Sequence, residues 1–234
     1  LPGKNLSLKQ QVVENINSWT DVDSVIVLGD ICEESGTVKE YESAKKFLSQ
    51  INKPFYPIVG NRDHLYEDKS PGERFRRAPE SVRKKKLERF KETFSLANVF
   101  YSIERNNYLL IFLSPDHLTS NNRSHISEEQ LNWLKSQLAS YKSKPTLIFF
   151  HAPLKGTLVG SNQDASDPAD MAQPIPEIRQ LIIDNPQIFL WFSGHTHLVP
   201  TNSNFNHPVN VYEKRVFNIH NPDMSGDSYL KETD

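Results

Sequence analysis

The chain has 234 residues, enough for one large α/β domain with a sizeable core. Hydrophobic residues make up 37% and charged residues 24%, an ordinary balance for a globular protein, and the formal charge of −2 gives no reason to expect general nucleic-acid binding. The single cysteine, Cys32, rules out an intrachain disulfide framework and points to a reducing, cytoplasmic setting, and no apolar run approaches the ~18 residues of a membrane span.

Leu8, Val12, Ile16 and Trp19 recur at helical spacing and predict a first helix over residues 7–19. A strand over 21–28 follows and ends in Gly29-Asp30. The next helix is expected over 39–51, with Tyr41, Ala44, Phe47, Leu48 and Ile51 inward. The strand after it, 54–59, ends in Gly60-Asn61-Arg62-Asp63-His64. Residues 65–95 break this rhythm. A polar loop leads into Arg74, Arg76, Arg77, Arg83, Lys84, Lys85, Lys86, Arg89 and Lys91, with Val82, Leu87, Phe90 and Phe94 as an apolar face. This reads as a partly helical basic insertion. It is either a solvated helix face or a cap near the site that attracts anionic substrates.

Residues 99–104 and 108–113 predict a hairpin across Arg105-Asn106-Asn107. Ser127-Glu128-Glu129-Gln130 fits a capping box, opening a helix that continues through Leu131, Leu134, Leu138 and Tyr141. A buried strand over 145–150 ends in His151, and a polar loop occupies 154–173. A helix opened by prolines covers 175–183, and a strand over 188–192 leads to Gly194-His195-Thr196-His197. Residues 209–212 and 215–219 alternate as two further strands. Strands interleaved with helices imply βαβ units.

Four apolar strands thus end in Asp30, Asn61, His151 and the pair His195 and His197. Open α/β sheets form their sites beyond the carboxyl ends of the strands. Neutral imidazole is the commonest metal ligand, and imidazole mixed with oxygen donors suits Mn, Fe, Zn, Co or Ni. Cys32 has no base beside it and reads as a small buried hydrophobe.

Taken in order, these motifs resemble the calcineurin-like metallophosphoesterases, whose pattern is D-x-H, G-D, G-N-H-D/E, a lone His and G-H-x-H. The match runs from Gly29 to His197. The resemblance implies an α/β fold, two facing mixed β-sheets flanked by helices in a four-layer α/β/β/α sandwich, as a single domain over residues 1–234. It implies two divalent or trivalent transition-metal ions, about 3.5–4 Å apart. Asp30 would bridge them, Asn61, His151 and His195 would hold the second, and His197 the first. It also implies in-line attack of a metal-bound hydroxide on a small phosphorylated substrate, without a membrane or nucleic acid as partner. Phe149-Phe150-His151-Ala152-Pro153 and the helix from Ser127 look most like the class III cyclic-nucleotide phosphodiesterase branch. That similarity favours diesters over monoesters. The oligomeric state is left open.

Two departures stand out. No D-x-H motif precedes Asp30, so the family's first strand is expected to lie ahead of this numbering. Without it, the first metal keeps only Asp30 and His197, and the fold could serve as a protein-binding scaffold. The second departure is Arg62, where the family commonly has a histidine credited with protonating the leaving group. Arginine stays protonated but can clamp a phosphate bidentately. The acid role is then expected of His64 or bound water, and Asp63 is expected to buttress a ligand.

Overall fold

The computed structural model describes residues 5–69, 72–158, 168–198 and 201–222. The first half runs α1 (Leu6–Ser18), β1 (Val25–Val27), α2 (Val38–Leu48), β2 (Phe55–Pro57), α3 (Asn61–His64) and α4 (Glu80–Phe94). The second runs β3 (Tyr101–Arg105), β4 (Tyr108–Phe112), α5 (Glu128–Ser140), β5 (Thr146–Phe149), α6 (Ile175–Asp184), β6 (Ile188–Ser193), β7 (Val211–Tyr212) and β8 (Val216–His220).

β1 and β2 pair in parallel as one small sheet. The others form a six-stranded sheet in the order β3-β4-β5-β6-β8-β7. Pairing within it is parallel from β4 to β8 and antiparallel at both edges. Alternation along β4 sends Leu109 and Ile111 to one face and Leu110 and Phe112 to the other.

Three apolar clusters fill the gaps between four layers. Leu131, Leu134 and Leu138 of α5, with Ile178, Leu181 and Ile182 of α6, pack on Leu109, Ile111, Ile148, Ile188 and Trp191 of the large sheet. On the far side, Val13, Tyr41, Phe47, Leu87 and Phe90 from α1, α2 and α4 cover the small sheet at Val27 and Phe55. Between the sheets, Ile58, Phe112 and Phe149 are buried. Tyr101, Phe112, Phe149 and Phe192 sit at register-partner positions on adjacent strands and stack at 4.7, 5.0 and 4.8 Å between ring centres. The expected α/β/β/α sandwich is the observed one.

Local differences from the sequence expectation have local causes. β1 is shorter than residues 21–28 because its partner β2 is three residues long and ends in Pro57. Proline donates nothing to a ladder. Residues 209–212 are strand only at Val211–Tyr212, since Pro208–Asn210 forms a 3₁₀ turn capped by His207 Nδ1, which accepts from Val209 N–H. Ser127 caps α5 as expected, accepting from the Gln130 amide at 3.1 Å. The Gln130 side chain does not complete the box. It bonds both backbone polar groups of Ser114. A complete capping box opens α2 instead, between Thr37 and Glu40. Part of the 154–173 loop, residues 159–167, lies outside the described residues.

The basic stretch differs most. Arg83 and Lys86 are only 4% and 2% exposed, while Lys84 and Lys85 face solvent. Arg83 donates to the carbonyls of Ala78 and Ser120 at 2.7 and 2.8 Å. Lys86 Nζ donates to the carbonyls of Ser35 and Tyr66 and to Asp68, each at 2.6 Å. Arg89 donates to the Gly36 carbonyl. Arg83 and Lys86 therefore fit neither a solvated face nor a substrate-facing cap. Together with Arg89 they fasten loops to α4. Leu87 and Phe90, on the same helix, belong to the core.

Candidate metal centre

The ends of β1 and β2 approach at backbone contact. Gly29 has φ +87°, and a Cβ there would lie 2.7 Å from Gly60 N and 2.8 Å from His151 Nδ1. A Cβ on Gly60 would lie 2.3 Å from Asp30 Oδ1. Both positions need glycine, the first for its dihedral as well. Gly-Asp and Gly-Asn are thus one packing solution written twice. Asp30 follows in a left-handed conformation at φ +50°, which Asp tolerates better than most residues.

α3 then begins at Asn61. The buried carboxylate of Asp63 accepts from Gly60 N–H at 2.7 Å and from Cys32 N–H at 2.8 Å, tying the two loops together. Burial, reinforced by the nearby Asp30 charge, pushes the Asp63 carboxyl up to about 6. Arg62 N–H donates to Asp30 Oδ1 at 2.8 Å. Burial would raise the Asp30 carboxyl, but the His151 and His195 imidazoles and the Arg62 amide hold it well below the usual range.

β5 delivers His151 and β6 delivers His195. His151 Nδ1 donates to the Leu28 carbonyl at 2.7 Å, so in the neutral ring Nε2 is a bare lone pair. That Nε2 faces Asn61 Oδ1 at 3.1 Å, Asp30 Oδ1 at 3.4 Å and His195 Nδ1 at 3.1 Å. The other nitrogen of His195 is directed to Asp170 Oδ1 at 3.5 Å, which leaves His195 Nδ1 as the second lone pair. Two imidazole lone pairs, a carboxylate and an amide oxygen therefore converge. Such an arrangement is repulsive unless a cation or a proton lies among the acceptors. Burial would lower the His151 imidazole, but the Asp30 carboxylate raises it, so a proton on Nε2 fills the place that a metal ion would take. Ligand atoms of Asp30, His151 and His195 all fall within 4.8 Å of one another, a spacing one ion can span. The donor set fits a borderline transition metal.

The remaining expected site residues stand as follows. Arg62 donates through Nη1 to the Glu33 carbonyl at 2.8 Å, and its guanidinium lies 5.2 Å from the Phe75 ring centre. His64 is 2% exposed, with Nδ1 3.2 Å from the Gly60 carbonyl oxygen, and burial pushes its imidazole down to about 4. His197 is exposed, at φ +48°, and stands outside the cluster of Asp30, His151 and His195. Cys32 is fully buried, as expected.

Three residues escaped the sequence reading. Asp170, from the 3₁₀ turn Pro168–Asp170, contacts His195 and pairs with Arg123. The Tyr66 hydroxyl lies 3.5 Å from Asn61 Nδ2 and near enough to Arg123 to act on its charge. No strand precedes any of them and no spacing sets them apart, so the signal that marked the ligands was missing.

With this geometry in place, comparison with known proteins agrees. The family model for calcineurin-like phosphoesterases matches residues 4–199. A protein of Arcobacter nitrofigilis named probable glycerophosphodiester phosphodiesterase GpdQ is 28% identical over 188 residues, covering 76% of this chain. The chain spans 58% of that relative's length. A dimetal phosphatase from Danio rerio superposes with a TM-score of 0.60 at 15% identity, over 93% of this chain and 77% of that one. The protein TT1561 of Thermus thermophilus gives 0.55 at 14% identity, over 96% and 87%. Likeness at that identity concerns the fold alone. Because the family model spans most of the sequence, the chain belongs to the calcineurin-like phosphoesterases.

Proposed function

We propose that this chain is a metal-dependent phosphohydrolase acting on phosphodiester bonds of a small phosphorylated substrate. The observation that carries this reading is the convergence of Asp30, Asn61, His151 and His195 on one space through acceptor atoms. A bound transition-metal pair would supply Lewis acidity toward a phosphoryl oxygen and an activated water. The rest falls to the chain. Asp30, Asn61, His151 and His195 would hold the ion, and Asp30 is the residue that would be shared with a second. Arg62, steadied by Glu33 and Phe75, binds a phosphoryl oxygen. Asp63 fixes the amides of Gly60 and Cys32, and so the aim of Asp30 and Asn61. His64, buried at the Gly60 carbonyl, supports the α3 turn, and the leaving group takes its proton from solvent. The name of the Arcobacter relative supports diester over monoester.

The test is a metal-reconstituted panel of bis-p-nitrophenyl phosphate, p-nitrophenyl phosphate and cyclic nucleotides, with His151→Ala as control. Diester turnover that disappears in His151→Ala is the expected result. Faster monoester turnover would remove the diester half. No turnover with any metal would remove the enzyme.

One observation favours a second reading. His197 is not among the three residues whose ligand atoms gather within 4.8 Å, so that cluster offers a place for one cation. A chain that binds a single ion and turns nothing over would be a phosphoesterase fold used as a protein-binding scaffold. Metal analysis separates the two readings, with two ions per chain expected of the enzyme.

A further inference from the structure

Arg123 lies on the loop between β4 and α5, remote in sequence from every ligand. Its backbone N–H donates to the Ala169 carbonyl at 3.0 Å, which sets the loop against the turn that carries Asp170. Its Nη1 bonds the same Asp170 oxygen that His195 Nε2 approaches. Its guanidinium also lies near the Tyr66 hydroxyl, which stands 3.5 Å from Asn61 Nδ2. Arg123 therefore bridges the surroundings of two candidate ligands, Asn61 and His195.

The two partners of this ion pair differ in exposure. The Asp170 side chain is 5% exposed and that of Arg123 is 41%. Arg62 repeats the arrangement, at 34% exposure against 15% for Asp30. Each arginine is anchored from within by a carboxylate and reaches outward. A guanidinium carries five N–H donors, more than Asp170 and Tyr66 use, and its fork matches phosphate oxygens.

The geometry points to Arg123 as a second phosphoryl-binding residue of the site, gripping a non-bridging oxygen of the substrate from the Asp170 side while Arg62 does so from the Asp30 side. Asp170 is its anchor and Tyr66 its second brace. The inference rests on the phosphohydrolase reading, but binding can be measured without turnover.

The experiment loads the protein with Mn²⁺, measures Mn²⁺ affinity by calorimetry, and then titrates inorganic phosphate into wild type, Arg123→Met, Arg123→Lys and Tyr66→Phe. Loss of one charge-assisted pair should weaken phosphate binding by about 10- to 100-fold in Arg123→Met. Arg123→Lys should recover part of this, Tyr66→Phe should lose a few-fold, and Mn²⁺ affinity should stay within about 3-fold of wild type. Phosphate affinity unchanged in Arg123→Met overturns the proposal. So does a matching fall in Mn²⁺ affinity, which would make Arg123 only a support for Asp170 and His195. Wild type that binds phosphate through Arg123 but turns over no ester would sink the phosphohydrolase reading alone. Wild type that turns over diesters while Arg123→Met binds phosphate normally would sink this proposal alone.

Discussion

At the candidate metal centre, Asp30, Asn61, His151 and His195 crowd acceptor atoms together, with a proton on His151 as the donor available among them. Along α4, Arg83, Lys86 and Arg89 bring donors inward, and each finds backbone carbonyls at hydrogen-bond distance. Both regions take polar side chains out of water. One is complete as it stands, and the other is open to a cation or a proton. Matched burial of polar groups builds architecture, while mismatched burial marks a site. Residue type alone would have ranked the two differently, because a run of Lys and Arg looks more like a binding surface than a lone histidine does.

The sharpest way to break this contrast is to remove one acceptor. His151→Ala should lower diester turnover by about two to three orders of magnitude, the scale of losing one preorganised electrostatic group. The metal-free variant loses the hydrogen bond to the Leu28 carbonyl but also the crowding of acceptors, so its Tm should fall by less than that of Lys86→Met. A large drop in its Tm would mean that the crevice is architecture after all. On α4 the balance should invert. Lys86→Met strips a donor from two buried carbonyls and should cost on the order of 3 kcal/mol in urea unfolding. Its exposed neighbour Lys84→Met should stay within about 0.5 kcal/mol. Equal effects at the two positions would show that the inward cation is not a fastening.

Cation binding sharpens the same comparison. Mn²⁺ at about 100 times its Kd should stabilise wild type by about 2.7 kcal/mol and His151→Ala by much less, as read from the Tm. The smallest effect concerns the loop beyond Asp30. Burial would raise the Glu40 carboxyl, but amides of Thr37, Glu34 and Ser35 and the Thr37 hydroxyl outweigh it and hold it below its ordinary 4.5. The folded carboxyl thus yields its proton more readily than the unfolded one. The stabilisation is present above pH 4.5 and is lost as pH falls through the lower, folded value. Glu40→Gln should flatten that acid limb, with a difference of about 1 kcal/mol near neutral pH. An unchanged acid limb would show that Glu40 does not govern it.

The fold was largely legible because each strand carried its own apolar run and each helix its own period. Asp30, Asn61, His151 and His195 were legible because each follows such a run, and Gly29 and Gly60 because the backbones meet where no Cβ fits. Asp170, Arg123 and Tyr66 come from turns and loops, whose positions depend on tertiary contacts that no periodicity encodes. The inward turn of Lys86 was hidden for a related reason. Its acceptors, the carbonyls of Ser35 and Tyr66, are backbone groups, and a sequence does not show where backbone acceptors are left waiting. His64 looked like a proton donor from its place two residues after Arg62, but its environment is the buried interior of the α3 turn.

Trp191 gives the crevice an optical reporter. Its indole is 1% exposed, lies edge-on to Phe150 at 5.8 Å and donates from Nε1 to the Ala152 carbonyl at 3.0 Å. Ala152 directly follows His151, and the strand that carries Trp191 leads directly to His195. Trp19, by contrast, is 42% exposed, and the third indole, Trp133, is half-buried against Phe100, so Trp133→Phe is needed to isolate Trp191. A cation drawing His151 and His195 together pulls on the backbone at both sides of the buried indole. With Trp133 replaced by Phe, blue-edge emission should therefore report the arrival of an ion, without a label and before any substrate is added.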